Sequence, residues 1–466
     1  MTKSLPFYLF SSAFFLIMIA PYLLSHGMFM DGLIYATVSN NLANGQGSYW
    51  DLFFSETFQH HFREHPPLAF WIQSWFYQLF GDSYLVEKIY SAVTSIFTGY
   101  LIVVFWKRLT TSIKSAWLPI LIWISIPIIT QAARNNLLEN TMTIFICLAF
   151  LFIQNQWRKE KLIWLIPAGV MLFLAFMTKD PVALFLWSAP FLYLLISLKK
   201  DYFLFIKASV VLVLSTTIPF LILMSMNQAA YDYFLTYFNH QVIGSIENVQ
   251  TVSSRFWIVL KLLKELITPL LIISLIFLLT RKQKVNEQID RKSTLLFILI
   301  GLSGVLPIII SLKQSGFYFI GSLPFFAIGL ALLIKPKVEW LYDKLNIASI
   351  GYKSLTVTVG LALIFGTYSA VKNNGKFGRD EEKLSDINAI AEQVNSKTII
   401  TATRELADDW ASIGYFYRYH QISLKIGYLG ESKFIIQPSS SKPILNSEYE
   451  KIDLNLKMFN FYQKTE

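Results

Sequence analysis

A chain of 466 residues that is 54% hydrophobic and 16% aromatic, with 15% charged residues and a mean hydropathy of +0.47, lies far from the roughly 25% charged composition of a soluble domain and reads as a membrane protein. Its net charge of +10 does not point to nucleic acid, because Lys and Arg sit mostly in short clusters between apolar runs, where anionic lipid and membrane topology account for them. The single cysteine, Cys147, lies within an apolar run, which excludes a disulfide framework and a Cys-based metal site.

From the N-terminus, residues 6–24 are long enough to span a bilayer, which needs about 20 apolar residues, and no convincing small-residue cleavage pattern follows, so they read as a retained first helix. Further apolar runs lie near 89–106, 116–132, 140–154, 162–177, 182–198, 208–226, 266–280, 294–310, 317–334 and 355–370, which with the first predicts about eleven spans. Alternate connections carry the basic clusters: Lys3; Lys107, Arg108 and Lys114; Arg158, Lys159 and Lys161; Lys199, Lys200 and Lys207; Arg281, Lys282, Lys284, Arg291 and Lys292; Lys335 and Lys337. All fall on one side, so the N-terminus is expected in the cytoplasm and the C-terminus outside.

On the opposite side, the long connections 28–88 and 227–265 contain the amphipathic aromatic stretches WIQSWFYQLF and YDYFLTYF, which suit helices lying at the interface. From Lys372 the composition changes to helical stretches (DEEKLSDINAIAEQV, ELADDWASIGYFYR) alternating with β-branched or alternating runs (KTIITAT, QISLKIGYL, KFIIQP). The expectation is an all-α polytopic membrane protein with about 11 transmembrane helices and amphipathic outer-face helices over residues 1–371. A small extramembrane α/β domain is expected over residues 372–466.

The informative charges are those on the outer side that orientation does not require: Asp31, Arg63, Glu64, His65, Arg134, Glu139, Lys179, Asp180, Arg255 and Lys313. Ionisable groups at membrane depth are costly unless they face a protein interior or a wet cavity, so each is a functional candidate, with an interfacial anchor or a paired structural ion as the alternative. Asp31, directly after the first span in FMDGLIYA, suits a general base or the N-cap of the helix that follows. Glu64 and His65 precede Pro66 and Pro67, whose rings fix the backbone and hold both side chains at a turn. His60, His61 and His65 lack regular metal-ligand spacing, so a phosphate contact by His65 or Arg63 suits the pattern better. Lys179 (FMTKDPVALF) and Lys313 (ISLKQSGFYF) each place a compact positive charge between apolar runs, suited to a phosphate oxygen.

In order along the chain, MDGLIYATVSNNLANG, REHPPLAFW, AARNNLLENTMTIFICLAFLF, LAFMTKDPVALF and SLKQSGFYFIGSLPFFAIGLAL resemble the multispanning glycosyltransferases that use polyprenyl-phosphate-linked sugars. That group includes protein O-mannosyltransferases and lipid A aminoarabinose transferases, with the fold called GT-C, and the resemblance covers most of residues 1–340. It implies that Asp31 is the catalytic base, although the family often has Asp-Glu where this chain has Asp31-Gly32. It also implies a phosphate contact at His65, where the aminoarabinose enzymes carry lysine and the mannosyltransferases histidine. Lys179 matches a Thr-Lys-Gly-Pro motif except that Asp180 replaces glycine.

The implied reaction moves a sugar, with inversion, from a polyprenyl-phosphate donor to an acceptor hydroxyl on a lipid, glycan or protein, at the outer face of a bacterial inner membrane. Arg63, Glu64, Arg134, Glu139, Arg255 and Lys313 complete the candidate binding set. No cofactor is required for this chemistry, and a divalent metal stays open. The competing reading is a transporter or flippase of an isoprenoid-linked or other amphiphilic solute, for which the same charges would contact substrate. Paired halves with interrupted helices, the usual mark of a transporter, are not visible in the sequence.

Overall fold

Each apolar run coincides with a helix or a bent pair of helices in the computed structural model of the protein, which describes residues 3–110, 113–197, 201–244, 249–281, 289–427, 432–444 and 448–465. Lys199, Lys200, Lys282 and Lys284, counted above among the basic clusters, lie outside the described residues. Six helices are long and apolar enough to cross a membrane: Tyr84–Thr110, Leu138–Lys159, Tyr202–Met226, Arg291–Ile310, Gly316–Lys344 and Ile350–Lys372. Two bent pairs, Trp117–Ile124 with Pro127–Arg134 and Trp257–Glu265 with Ile267–Leu279, meet the same test together. Leu5–Met18, Leu162–Thr178 and Pro181–Ile196 are apolar but shorter. Length and composition therefore give six to eight spans among the described residues, and the three shorter helices account for the other runs.

The sharpest bend, 79° between Trp117–Ile124 and Pro127–Arg134, follows from the sequence Ser125-Ile126-Pro127. A residue before proline avoids the helical region, and Ile126 is extended (φ −72°, ψ 119°), so one helix ends and Pro127 starts the next.

The chain divides into two compact units. The first comprises Met1–Leu23, Glu64–Ala69 and Ile89–Lys372. Its helices pack through interlocking aromatics: Phe150 meets Phe105, Phe297 and Phe325 at ring separations of 5.6, 5.4 and 4.9 Å, all four fully buried. Gly316–Lys344 has 83% of its most apolar window buried, against 11% for Tyr202–Met226 and 17% for Ile350–Lys372, whose apolar surfaces are left to lipid.

The second unit comprises Leu24–Arg63, Phe70–Lys88 and Asn373–Glu466. It contains the helix Met30–Ala43 and a five-stranded mixed sheet of β1 (Ile399–Ala402), β2 (Ser423–Ile426), β3 (Phe434–Pro438), β4 (Tyr449–Ile452) and β5 (Phe459–Lys464), in the order β2-β1-β3-β5-β4. β1 pairs parallel with β2 and β3, whereas β5 pairs antiparallel with β3 and β4. The helices Glu381–Ala391 and Trp410–His420 complete the α/β tail. Asp386 ties the first of these to the start of β5, its carboxylate accepting the backbone N–H groups of Lys457, Met458 and Phe459 at 3.1, 2.6 and 3.2 Å.

Candidate functional site

Within the first unit, His65 is set by its own sequence. Pro66 and Pro67 restrict the backbone on one side, and the His65 carbonyl accepts a 2.6 Å hydrogen bond from the Tyr233 hydroxyl, on the helix Gln228–Tyr237. Its Nε2 lies 3.4 Å from the ammonium of Lys179. An ammonium only donates, so Nε2 is the acceptor and the imidazole proton sits on Nδ1. Burial, with Lys179 and then Lys313 adding positive charge, holds the His65 pKa well below its ordinary value, so the ring is neutral.

Lys179 follows the last turn of Leu165–Thr178 and is 4% exposed; its ammonium stands 3.3 Å from Glu139 Oε1, which is 2% exposed. Glu139 lies in the first turn of Leu138–Lys159, where the helix dipole favours a carboxylate. Its other oxygen, Oε2, is buried and has no hydrogen-bond partner among the described residues. Such a half-satisfied acceptor is costly unless an approaching donor can use it. Asp180 caps the next turn by accepting from the Val182 N–H at 3.2 Å. Burial raises its carboxyl from the usual range to about 6, opposed by Lys179, reinforced by Glu139 and opposed again by Lys313.

His65 and Asp180 line a cavity of about 510 Å³, and the Lys179–Glu139 pair stands behind His65, outside the lining. Glu64, His65, Asp180 and Lys313 supply its polar side, joined by Tyr237, Gln241 and Tyr318. Leu184, Phe185, Trp187, Pro307 and Ile308 supply an apolar wall. The Lys313 ammonium donates to Gln241 Oε1 at 3.2 Å, and the Lys313 backbone N–H donates to Ser311 Oγ at 2.9 Å. A site with Lys313 in its lining, the Lys179 ammonium behind His65 and an apolar wall beside them can hold an anionic head group that carries a hydrocarbon chain.

The structure thus brings together six of the residues singled out in the sequence: Glu64, His65, Asp180 and Lys313 line the cavity, and Lys179 and Glu139 stand behind His65. Three others make different contacts. Arg255 donates to the Ile310 carbonyl, and its own carbonyl accepts from Gln314 Nε2 at 2.8 Å, a role in holding the loop that carries Lys313. Arg134 lies 4.0 Å over the Tyr22 ring as a cation–π partner. Arg63, in the second unit, faces Asp51 at 3.7 Å, beside His61, whose Nδ1 is 2.8 Å from the same carboxylate oxygen. The histidine cluster is therefore divided: His60 packs edge-on against Phe53 and His61, and His65 belongs to the cavity of the other unit. Among the described residues no three His, Cys, Asp or Glu side chains converge as metal ligands, and the positive charge between His65 and Glu139 is the Lys179 ammonium.

Asp31 lies in the second unit, half-buried in the first turn of Met30–Ala43. Phe29 occupies the N-cap position, so the capping role open to Asp31 in the sequence is replaced by that of a first-turn acid favoured by the helix dipole. Sequence reading missed Tyr233, Tyr237 and Gln241. The available signal was the i, i+4 spacing of Tyr233 and Tyr237 in YDYFLTYF, which puts both on one helix face, and both are fully buried.

A family model for dolichyl-phosphate-mannose-protein mannosyltransferases matches residues 64–223, the segment that contains His65, Glu139, Lys179 and Asp180. An uncharacterized protein of Aquifex aeolicus (strain VF5) is 34% identical over 140 residues, a match that spans 29% of this chain and only 28% of that protein. Crystal structures of ArnT from Cupriavidus metallidurans, one bound to undecaprenyl phosphate and one in the apo state, are each similar with a TM-score of 0.69 at 14% identity, covering 97% of both chains. The chain is a multi-pass membrane protein with the GT-C fold of ArnT, and residues 64–223 carry the sequence pattern of the dolichyl-phosphate-mannose-protein mannosyltransferase family.

Proposed function

We propose that the protein is an inverting glycosyltransferase that moves a sugar from a polyprenyl-phosphate-linked donor to an acceptor hydroxyl at the outer face of a bacterial inner membrane. The observation that carries this reading is the cavity with His65 and Lys313 at its polar end, the Lys179 ammonium 3.4 Å from His65 Nε2 behind it, and Leu184, Phe185 and Trp187 along its wall, complementary to a phosphate on a long hydrocarbon. The mannosyltransferase pattern over residues 64–223 and the ArnT fold support it from a different direction.

In the reaction, the acceptor oxygen attacks the anomeric carbon as its proton passes to the Asp31 carboxylate, and the bond from that carbon to the phosphate oxygen breaks with its electron pair going to the phosphate. Polyprenyl phosphate is a stable anion, so the leaving group needs no proton donor, and one carboxylate suffices where glycoside hydrolysis uses two. Lys179 and Lys313 stabilise the charge that develops on it, and neutral His65 contributes an Nδ1–H rather than a second cation. Because Glu139 already neutralises Lys179, the lysine meets the phosphate without remaining an isolated buried cation when the site is empty.

The test is transfer by the purified protein from a panel of radiolabelled polyprenyl-phosphate sugars in the presence of membrane lipid extract. Transfer by the wild type that is lost in Asp31→Asn, with donor binding retained, is the expected result. Donor binding without transfer across the whole panel would overturn the reading in favour of a transporter or flippase.

A further inference from the structure

We infer that the C-terminal tail is the positioning element of Asp31, with Tyr415 as its principal positioning residue; this rests on the reading of Asp31 as the catalytic base. The inference comes from contacts that all lie within the second unit and converge on the segment leading into the Met30–Ala43 helix.

The first set of contacts is backbone to backbone. Gly375 N–H donates to the Leu24 carbonyl at 3.0 Å, His26 N–H to the Lys376 carbonyl at 2.8 Å, and Gly378 N–H to the His26 carbonyl at 2.9 Å. His26 and Phe377 form a parallel bridge, so the start of the tail runs beside the Asp31 segment as a short paired strand would. The approach is close enough to dictate residue type: Gly27 has φ +89°, and a Cβ there would stand 2.4 Å from the Arg379 carbonyl oxygen. One residue before the helix, the Arg379 guanidinium lies 5.7 Å over the Phe29 ring.

The second set comes from Trp410–His420. Tyr415 is fully buried, and its hydroxyl accepts the Met28 N–H at 2.9 Å. The same oxygen stands 2.9 Å from both the Met28 carbonyl and Asp380 Oδ2, so its one proton serves two acceptors. Met28 therefore has both of its backbone polar groups held by one side chain, three residues before Asp31. Burial pushes the Tyr415 phenol far above its ordinary pKa, so it stays a donor at every working pH. At the next position Gly414 lets the helix meet the far side of Asp31: a Cβ there would stand 2.7 Å from Leu33 Cδ2. Asp31 sits between Met28, fixed by hydrogen bonds, and Leu33, fixed by packing, and both constraints come from one helix of the tail.

An orientation requirement explains why a membrane enzyme would spend two layers of contact on so short a segment. A general base works only within hydrogen-bond reach of the proton it removes, and misplacement by about 1 Å can cost about 100-fold in rate. Tyr415 contacts no reacting atom in this scheme; it acts through the backbone of Met28.

Purified full-length Tyr415→Phe and Gly414→Ala, each also with Leu33→Ala, are assayed for sugar transfer, donor binding and thermal midpoint beside Asp31→Asn. The expected result for Tyr415→Phe is a kcat about 10- to 100-fold lower with donor KM and midpoint unchanged. Gly414→Ala is expected to lower kcat as well, and Leu33→Ala to restore it in the Gly414→Ala background but not in the Tyr415→Phe background. Wild-type kcat in Tyr415→Phe beside an inactive Asp31→Asn overturns this inference alone. Parallel loss of donor binding, midpoint and kcat in Tyr415→Phe also overturns it, since that marks a merely structural contact. Wild-type transfer by Asp31→Asn overturns the base assignment itself.

Discussion

Lys179 is a buried cation whose charge is met by Glu139 and whose ammonium also reaches the neutral ring of His65. Removing one partner of such a pair leaves the other charge buried alone, at a cost of roughly 3–5 kcal/mol. Lys179→Met is accordingly expected to lower the thermal midpoint, and adding Glu139→Gln to recover most of it without recovering donor affinity; a midpoint unchanged in Lys179→Met would show the pair to be open to solvent. Asp180 gives the cavity a pH dependence. Its folded-state carboxyl titrates near 6, above the ordinary range, so its contribution to stability is full at low pH and lost as pH rises through about 6. Function follows the same titration, because protonation removes a negative charge beside Lys179 and Lys313 while the donor's phosphodiester stays anionic. Donor affinity should therefore tighten between pH 7.5 and 5.5, and Asp180→Asn should abolish the change; equilibrium binding at both pH values checks it. A charge that broke the topology rule drew attention to His65, Glu139, Lys179 and Lys313, which the fold places near one another. What the sequence could not show at Arg134 and Arg255 is the contact each makes in the fold, because a cation over a tyrosine ring and a cation on a loop carbonyl look the same in sequence as a ligand contact.

Two elements show how packing decides what composition leaves open. Leu165–Thr178 and Tyr202–Met226 approach so closely that a Cβ on Gly169 would stand 2.0 Å from Ser215 Oγ and 2.6 Å from the Ser215 backbone carbon. Small residues at such crossings let helix backbones meet where lipid offers no hydrophobic drive for association. Gly169→Leu is expected to destabilise the protein by about 1–3 kcal/mol, read as a lower midpoint in detergent; an unchanged midpoint would contradict the close crossing. In the second unit, Arg418 is 3% exposed and pairs with Glu87 at 3.1 Å, itself fully buried, and with Asp82 at 2.7 Å. Tyr77 donates to the same Glu87 at 2.6 Å. Arg418→Met strands the Glu87 carboxylate and should cost several kcal/mol, with Glu87→Gln in the same chain reducing the loss. No periodicity announces such a network: Arg418 is more than 300 residues from Asp82 and Glu87, and in sequence it is one polar residue in a helical run. β4 and β5 were missed for a local reason, since YEKI holds two charged residues in four and FNFYQK lacks the β-branched residues that mark IITA in β1.

Over the whole molecule, the apolar runs and the basic clusters between them made the membrane class and the helix positions legible from composition alone. What they did not reveal is that residues 24–63 and 70–88 share a compact unit with the tail, because that grouping depends on contacts across hundreds of residues. The charge pattern leads to an expected topology with a cytoplasmic N-terminus and an outer tail. Reporter fusions after Glu466 and in the connection near Arg158 test it: activity of an outside-dependent reporter at the first and not the second is expected, and the reverse would invert the scheme. If the cavity beside Lys179 grips the lipid phosphate, undecaprenyl phosphate binding to the purified wild type, Asp31→Asn and Lys179→Ala will show it. One tightly bound lipid is expected in the wild type, with equal affinity in Asp31→Asn and a loss of about tenfold or more in Lys179→Ala, the equivalent of about 1.4 kcal/mol; unchanged binding in Lys179→Ala would rule the phosphate grip out.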